Sequence, residues 1–175
     1  MSDLLAHFRL AARNNRYANA VMAKACAALG EDGLWAPGVS FFPSIGETLN
    51  HILEIDLYYL DALECGGLGR KVYDQFEALR APADLAAAQE AADMRLIAFC
   101  DALTDTAALV PTERSDGRDW PERIDALLTH LFAHDVHHRG QAHAMLAGTG
   151  VAPPQLDDFY LEYGRTPIAR AALAL

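Results

Sequence analysis

The chain has 175 residues, 52% of them hydrophobic and 22% charged. At roughly 150 residues per domain that is one domain, too apolar for disorder and without the run of about 18 apolar residues that a transmembrane helix needs. Fourteen basic residues stand against 24 acidic ones, net −10, a balance that repels phosphate backbones and argues against nucleic-acid or anionic-membrane partners.

Cys26, Cys65 and Cys100 are odd in number, widely spaced and free of any C-x-x-C pattern. Reduced thiols are therefore expected rather than a disulfide framework or a zinc ribbon. Arg9, Arg13 and Arg16 give the N-terminus a basic bias, but it lacks an apolar core region with a small-residue cleavage site. An amphipathic first helix of a cytoplasmic, unprocessed protein accounts for it.

Taken in chain order, four stretches carry helical spacing, and none alternates long enough to predict a strand. The first helix is predicted from Asp3 to Leu29, with Leu5, Phe8, Ala12, Ala18, Val21, Met22 and Ala25 on its apolar side and Gly30 with Gly33 ending it. A loop from Glu31 to Pro43 holds Trp35, Phe41 and Phe42, aromatic enough to pack down. Ser44-Ile45-Gly46-Glu47 is a capping-box pattern opening a second helix that reaches Glu64, with Gly66, Gly67 and Gly69 closing it. The segment from Arg70 to Ala81 is too mixed to assign. Pro82 opens an alanine-rich third helix through Leu85, Ala92, Leu96 and Leu103. Asp119-Trp120-Pro121-Glu122 reads as the start of a fourth, which Gly148 and Gly150 stop. Asp157 to Tyr163 reads as a short closing helix, and Thr166 to Leu175 as a further helical turn or tail. The expected fold is all-α: an up-down antiparallel four-helix bundle filling residues 1–175 as a single domain with a short C-terminal extension.

Of the seven histidines, His130, His134, His137 and His138 fall within nine residues, and His143 follows. Residues four apart share a helix face, so His130/His134 and His134/His138 can each grip one ion. Ile124, Leu131 and Met145 recur at sevens in a row that includes His138, and a second row from Leu127 or Leu128 to Ala142 includes His134. Both therefore look into the core, whereas His130 and His137 lie on the flank. Burying an unpaired polar ring costs roughly 1–3 kcal/mol, so two inward imidazoles one turn apart call for a common ion. The zincin pattern H-E-x-x-H is absent. A third ligand must come from another helix, where His51 and His7 are available. His51 lies at the border of the stripe Ile45, Leu49, Ile52 and Leu60, and His7 reads better as a surface residue. Glu47 and Glu54 flank His51 as outer partners or as ordinary solvated charges.

His134-Asp135-Val136-His137-His138-Arg139-Gly140-Gln141 resembles the H-x-x-H-H-R-G-Q signature of the DinB-like superfamily, which includes bacillithiol S-transferases and mycothiol-dependent maleylpyruvate isomerases. Asn14 to Asn19 resembles that family's N-R-W-A-N opening, with Tyr17 in the place of tryptophan. Ser44 to Ile52 resembles its second helix with the ligand histidine. The resemblance spans about residues 4–148. It implies an antiparallel four-helix bundle, often a homodimer, holding a divalent metal at His51, His134 and His138. It also implies chemistry with a low-molecular-weight thiol and an electrophilic substrate.

Three neutral imidazoles leave coordination positions open, as catalytic sites do. Zinc or nickel suits such donors best, with manganese or ferrous iron compatible. An ion there would activate a thiol, giving an S-transferase or isomerase, or water, giving a hydrolase. A non-catalytic, metal-binding stress-response dimer is the competing expectation, and it requires a fourth protein ligand such as His137 or a carboxylate. Gly140 is expected to mark a close helix approach. Arg139 is expected in a structural ion pair, Gln141 in a helix–helix hydrogen bond and Cys100 as a small buried side chain.

Overall fold

A computed structural model describes residues 2–113, 116–161 and 165–174. The protein is mostly helical: α1 (Ser2–Ala27), α2 (Gly30–Leu34), α3 (Ile45–Leu63), α4 (Lys71–Gln75), α5 (Pro82–Ala102), α6 (Ile124–Leu146) and α7 (Pro167–Leu173). Among the described residues, no helix is long and apolar enough to cross a membrane.

The four long helices pack in a closed ring in which α1 touches α5 and α6, and α3 touches the same two. Side-chain contacts give their directions. Arg13 meets Asp101 and Arg16 meets Glu90, so α1 and α5 run antiparallel. Phe8 stacks near Phe132 while Asn15 reaches Asp135 and Arg139, so α1 and α6 run parallel. Asp56 with Gln89, and Glu64 with Arg95, make α3 and α5 parallel as well. The consecutive pairs α1/α3 and α5/α6 thus lie diagonally, while α3 and α5 are parallel neighbours, unlike a simple up-and-down order. The connection over residues 64–81 makes this possible. It climbs back along α3, with Tyr73 stacked on Tyr58 and the Leu79 N–H donating to Asn50. The three N-terminal arginines are used in this packing, since Arg9 also donates to the Cys100 and Asp101 carbonyls.

Two expectations about element boundaries are corrected. The chain turns at residues 28–29 and Gly30 starts α2, whose Leu34 is fully buried. The segment expected to open the fourth helix is instead a strand. β1 (Leu109–Glu113) and β2 (Asp119–Arg123) pair antiparallel, and α6 begins only at Ile124. Asp119 and Pro121 suit an exposed edge as well as a helix start. Pro121 stands opposite Pro111, a pairing that two residues without N–H groups can make only at a non-hydrogen-bonded position. Only Val110 and Thr112 point inward from β1, too few to register as alternation.

One apolar core runs through the ring, from Phe8, Met22, Leu53, Leu60 and Leu96 to Leu128, Leu131 and Leu146. A smaller cluster of Tyr17, Phe159, Ala169 and Ala172 fastens the C-terminal segment to α1. That segment holds a 3-10 turn at Asp158–Tyr160 and then α7. The part of the expected closing helix over residues 162–163 lies outside the described residues.

Candidate metal centre

The beginning of α3 places the first candidate ligand. Ser44 sits in extended conformation at the N-cap, where its Oγ accepts from the Glu47 N–H at 3.1 Å and its hydroxyl donates to the Glu47 carboxylate at 2.9 Å. Glu47 is therefore a capping residue and not a partner of His51. Behind the cap, a Cβ at Gly46 would come within 2.9 Å of the Trp35 ring, so glycine lets the preceding loop lie flat on the helix. Trp35 is held in turn by the Arg80 guanidinium over its face and by donating to the Arg80 carbonyl. These contacts carry the loop down to Phe42, whose ring packs on His51 at 4.5 Å and on His138 at 5.7 Å. The aromatic loop thus packs down, as expected, and touches the site through Phe42. Its neighbour Phe41 does not pack down and is 78% exposed.

His51, His134 and His138 converge, one candidate ligand atom of each lying within 4.8 Å of the others. The His51 and His134 Nε2 atoms face each other at 3.1 Å. Metal–nitrogen bonds of about 2.0–2.1 Å put two ligands roughly 3.0–3.4 Å apart, so that spacing fits two nitrogens sharing one ion. Burial, and then His134 and His138, push His51 down to about 4, while burial also lowers His138. Neutral imidazoles are the form that binds metal. Both the distance and the donor set therefore fit a divalent ion. Among the described residues no fourth His, Cys, Asp or Glu joins the group. His137 and His130 lie on the exposed flank, as the helical spacing predicted, and His7 is exposed. His130 is near Tyr59, with ring centroids 5.3 Å apart.

Around the cluster, the Glu54 carboxylate stands 3.8 Å from His51 Nδ1, and burial raises its pKa. His134 Nδ1 is buried without a hydrogen-bond partner, 3.5 Å from an equally unpartnered oxygen of Asp135.

Asp135 leads into a polar layer that sequence reasoning missed. It is fully buried and accepts from Asn15 Nδ2 at 2.6 Å, and the Arg139 guanidinium donates to Asn15 and Asn19 at 2.7 Å each. Asn19 donates to Asp93, and Gln89 donates to Asp56. Each of the four long helices contributes. Burial raises Asp93 to about 8 and Asp56 well above the carboxylate range, the latter further raised by Asp135. Arg139 is structural as expected, but as the hub of this layer. Gly140 is not a close-approach residue, since nothing lies within 4 Å of where its Cβ would be. Gln141 bonds within its own helix, to His138 and His137, and not across to another.

The DinB family model matches residues 1–167. The chain belongs to the DinB family. The three-histidine group fits a metal-binding DinB-like protein, and its residues are those matched to the ligand positions on the strength of the resemblance. Comparison with curated proteins finds no match for this DinB-family chain.

Proposed function

We propose that this DinB-family protein is a metal-dependent enzyme of small-thiol chemistry, an S-transferase or isomerase, with His51, His134 and His138 as the ligands. The observation that carries this reading is the open three-imidazole set: three ring nitrogens converge and, among the described residues, no fourth side chain of ligand type closes the shell. A non-catalytic metal carrier would be expected to close it. Zinc or nickel is the ion best suited, with manganese or iron(II) tolerated.

A divalent ion held there lowers the pKa of a thiol or water that reaches it. The chain's own residues supply the rest. Phe42 covers one side of His51 and His138 and keeps water from that side, strengthening electrostatic interactions in the site. Asp135 is the carboxylate that can accept from His134 Nδ1, and Glu54 is the one nearest His51 Nδ1. Phe41 offers an exposed apolar surface next to Phe42, suited to the carbon frame of an electrophile. The protein is proposed to work in the cytoplasm as a homodimer, which sedimentation would test.

Turnover of several cellular thiols with a generic electrophile, measured on protein loaded separately with zinc, nickel and manganese, tests the reading. Thiol-dependent conjugation that His138→Ala abolishes is expected. Ester or amide hydrolysis without any thiol requirement would instead favour the hydrolase. A full complement of metal with neither activity would favour the non-catalytic carrier.

A further inference from the structure

His138 is the one candidate ligand whose second ring nitrogen is already bonded. Its Nδ1 lies 2.9 Å from Gln141 Oε1, and Gln141 Nε2 lies 3.0 Å from His137 Nε2. An amide has an acceptor at one end and donors at the other, so these two bonds fix each other's sense. With the carbonyl end on His138, the His138 proton must be on Nδ1, which leaves the lone pair on Nε2. At the other end the amide N–H donates to His137, which uses Nε2 as the acceptor. The reversed amide would put the His138 proton on Nε2 and remove the atom that a metal needs.

We infer that Gln141 is a positioning residue for the metal centre: its amide locks His138 in the Nδ1–H tautomer with Nε2 free, and ties that ligand to the exposed His137 as an outer partner. The inference rests on the reading of the three histidines as metal ligands. His137 thereby has a place outside the coordination shell, where the sequence left it open as a fourth ligand. The helix makes the arrangement available at little cost, because Gln141 stands three residues from His138 and four from His137, on the same face. Partial exposure of Gln141 also means that the fold does not depend on its side chain.

The test is imidazole nitrogen NMR on the metal-free protein, followed by competition of zinc and cobalt(II) against a chelator. Wild type, Gln141→Leu and Gln141→Glu are compared, and thermal unfolding checks that each variant folds. In wild type, His138 is expected to carry its proton on Nδ1, and in Gln141→Leu to populate both tautomers. Zinc affinity should fall about 10–100-fold in Gln141→Leu, the usual effect of removing a partner of a metal-bound histidine. Gln141→Glu should restore it, because a carboxylate accepts from Nδ1–H even though it cannot donate to His137. A wild-type His138 with its proton on Nε2 overturns the inference without any variant. So does Gln141→Leu binding zinc as tightly as wild type, or Gln141→Glu losing as much affinity as Gln141→Leu. A wild type that binds neither ion overturns the metal reading and this inference together.

Discussion

Gly140 lies in the middle of α6, where glycine costs roughly 0.5–1 kcal/mol relative to alanine. No helix presses on it: it borders a cavity of about 430 Å³ between α1, α6 and the C-terminal segment. Gly140→Ala is therefore expected to stabilise the protein by about 0.5–1 kcal/mol, raising Tm by about 1–4 °C in thermal unfolding. A lower Tm would mean that the cavity is closed by something that needs the missing Cβ. Asp93 gives a prediction of a different kind. Burial pushes its folded pKa up to about 8, whereas an unfolded aspartate titrates near its ordinary value of 3.8. Between those values the folded chain keeps a proton that the unfolded chain has lost, so stability falls as pH rises towards 8 and then levels. His51 acts in the opposite sense, its lowered pKa making stability rise with pH up to its unfolded value of 6.5. The comparison therefore belongs above about pH 7, where imidazole titration is nearly complete. Denaturant midpoints measured from about pH 7 to 9 should decline in wild type and decline less in Asp93→Asn. Equal slopes would show that Asp93 is ionised in the folded protein. His134 and His138 were legible because a one-turn spacing on an apolar face is a one-dimensional signal. Asp56, Asp93 and Asp135 were not, because an acid in a helix looks solvated until the helices that cover it are placed.

At the scale of elements, the second helix is legible at both its start and its end at Glu64, except for the residue that takes the turn after it. Ser44 caps α3 as the pattern predicted. At the other end, the left-handed position that usually takes glycine is occupied by Cys65, with φ of 55°, one residue before the glycines expected to close the helix. Glycine adopts that conformation without a Cβ penalty, so Cys65→Gly should stabilise the protein by about 0.5–1 kcal/mol, seen as a higher denaturant midpoint. An unchanged or lower midpoint would show that the exposed Cys65 side chain contributes something at the turn. The β hairpin was illegible for a related reason. Capping and proline signals report a local backbone preference, and β2 and a helix N-terminus share it. Pairing with β1 decided between them, and pairing is a contact between segments that periodicity does not record.

For the whole molecule, the ring order sets what the site can report. Because α3 and α6 are neighbours running in opposite directions, His51 in the first half of one meets His134 and His138 about the middle of the other. An ion shared by them would tie two long helices together and bind only the folded chain. At a free zinc concentration about 100 times Kd the linkage is worth about 2.7 kcal/mol, a Tm rise of about 5–11 °C for a protein of this size. The rise should depend on zinc concentration and vanish in His51→Ala. An equal rise in that variant would place the ion elsewhere. The choice of His51 over His7 was beyond periodicity, because it depends on which helix faces α6. The family resemblance supplied it, and the packing accounts for it.

The central claim is that His51, His134 and His138 hold one metal ion. Its most direct test is metal content by mass spectrometry on untagged protein, for wild type, His138→Ala and His137→Ala. About one ion per chain in wild type and in His137→Ala, with the ion lost from His138→Ala, is the expected result, since three side chains are the usual protein share of an open site. A wild type without metal after exposure to zinc, nickel, manganese and iron(II), or a His138→Ala protein that keeps its full complement, would contradict the account.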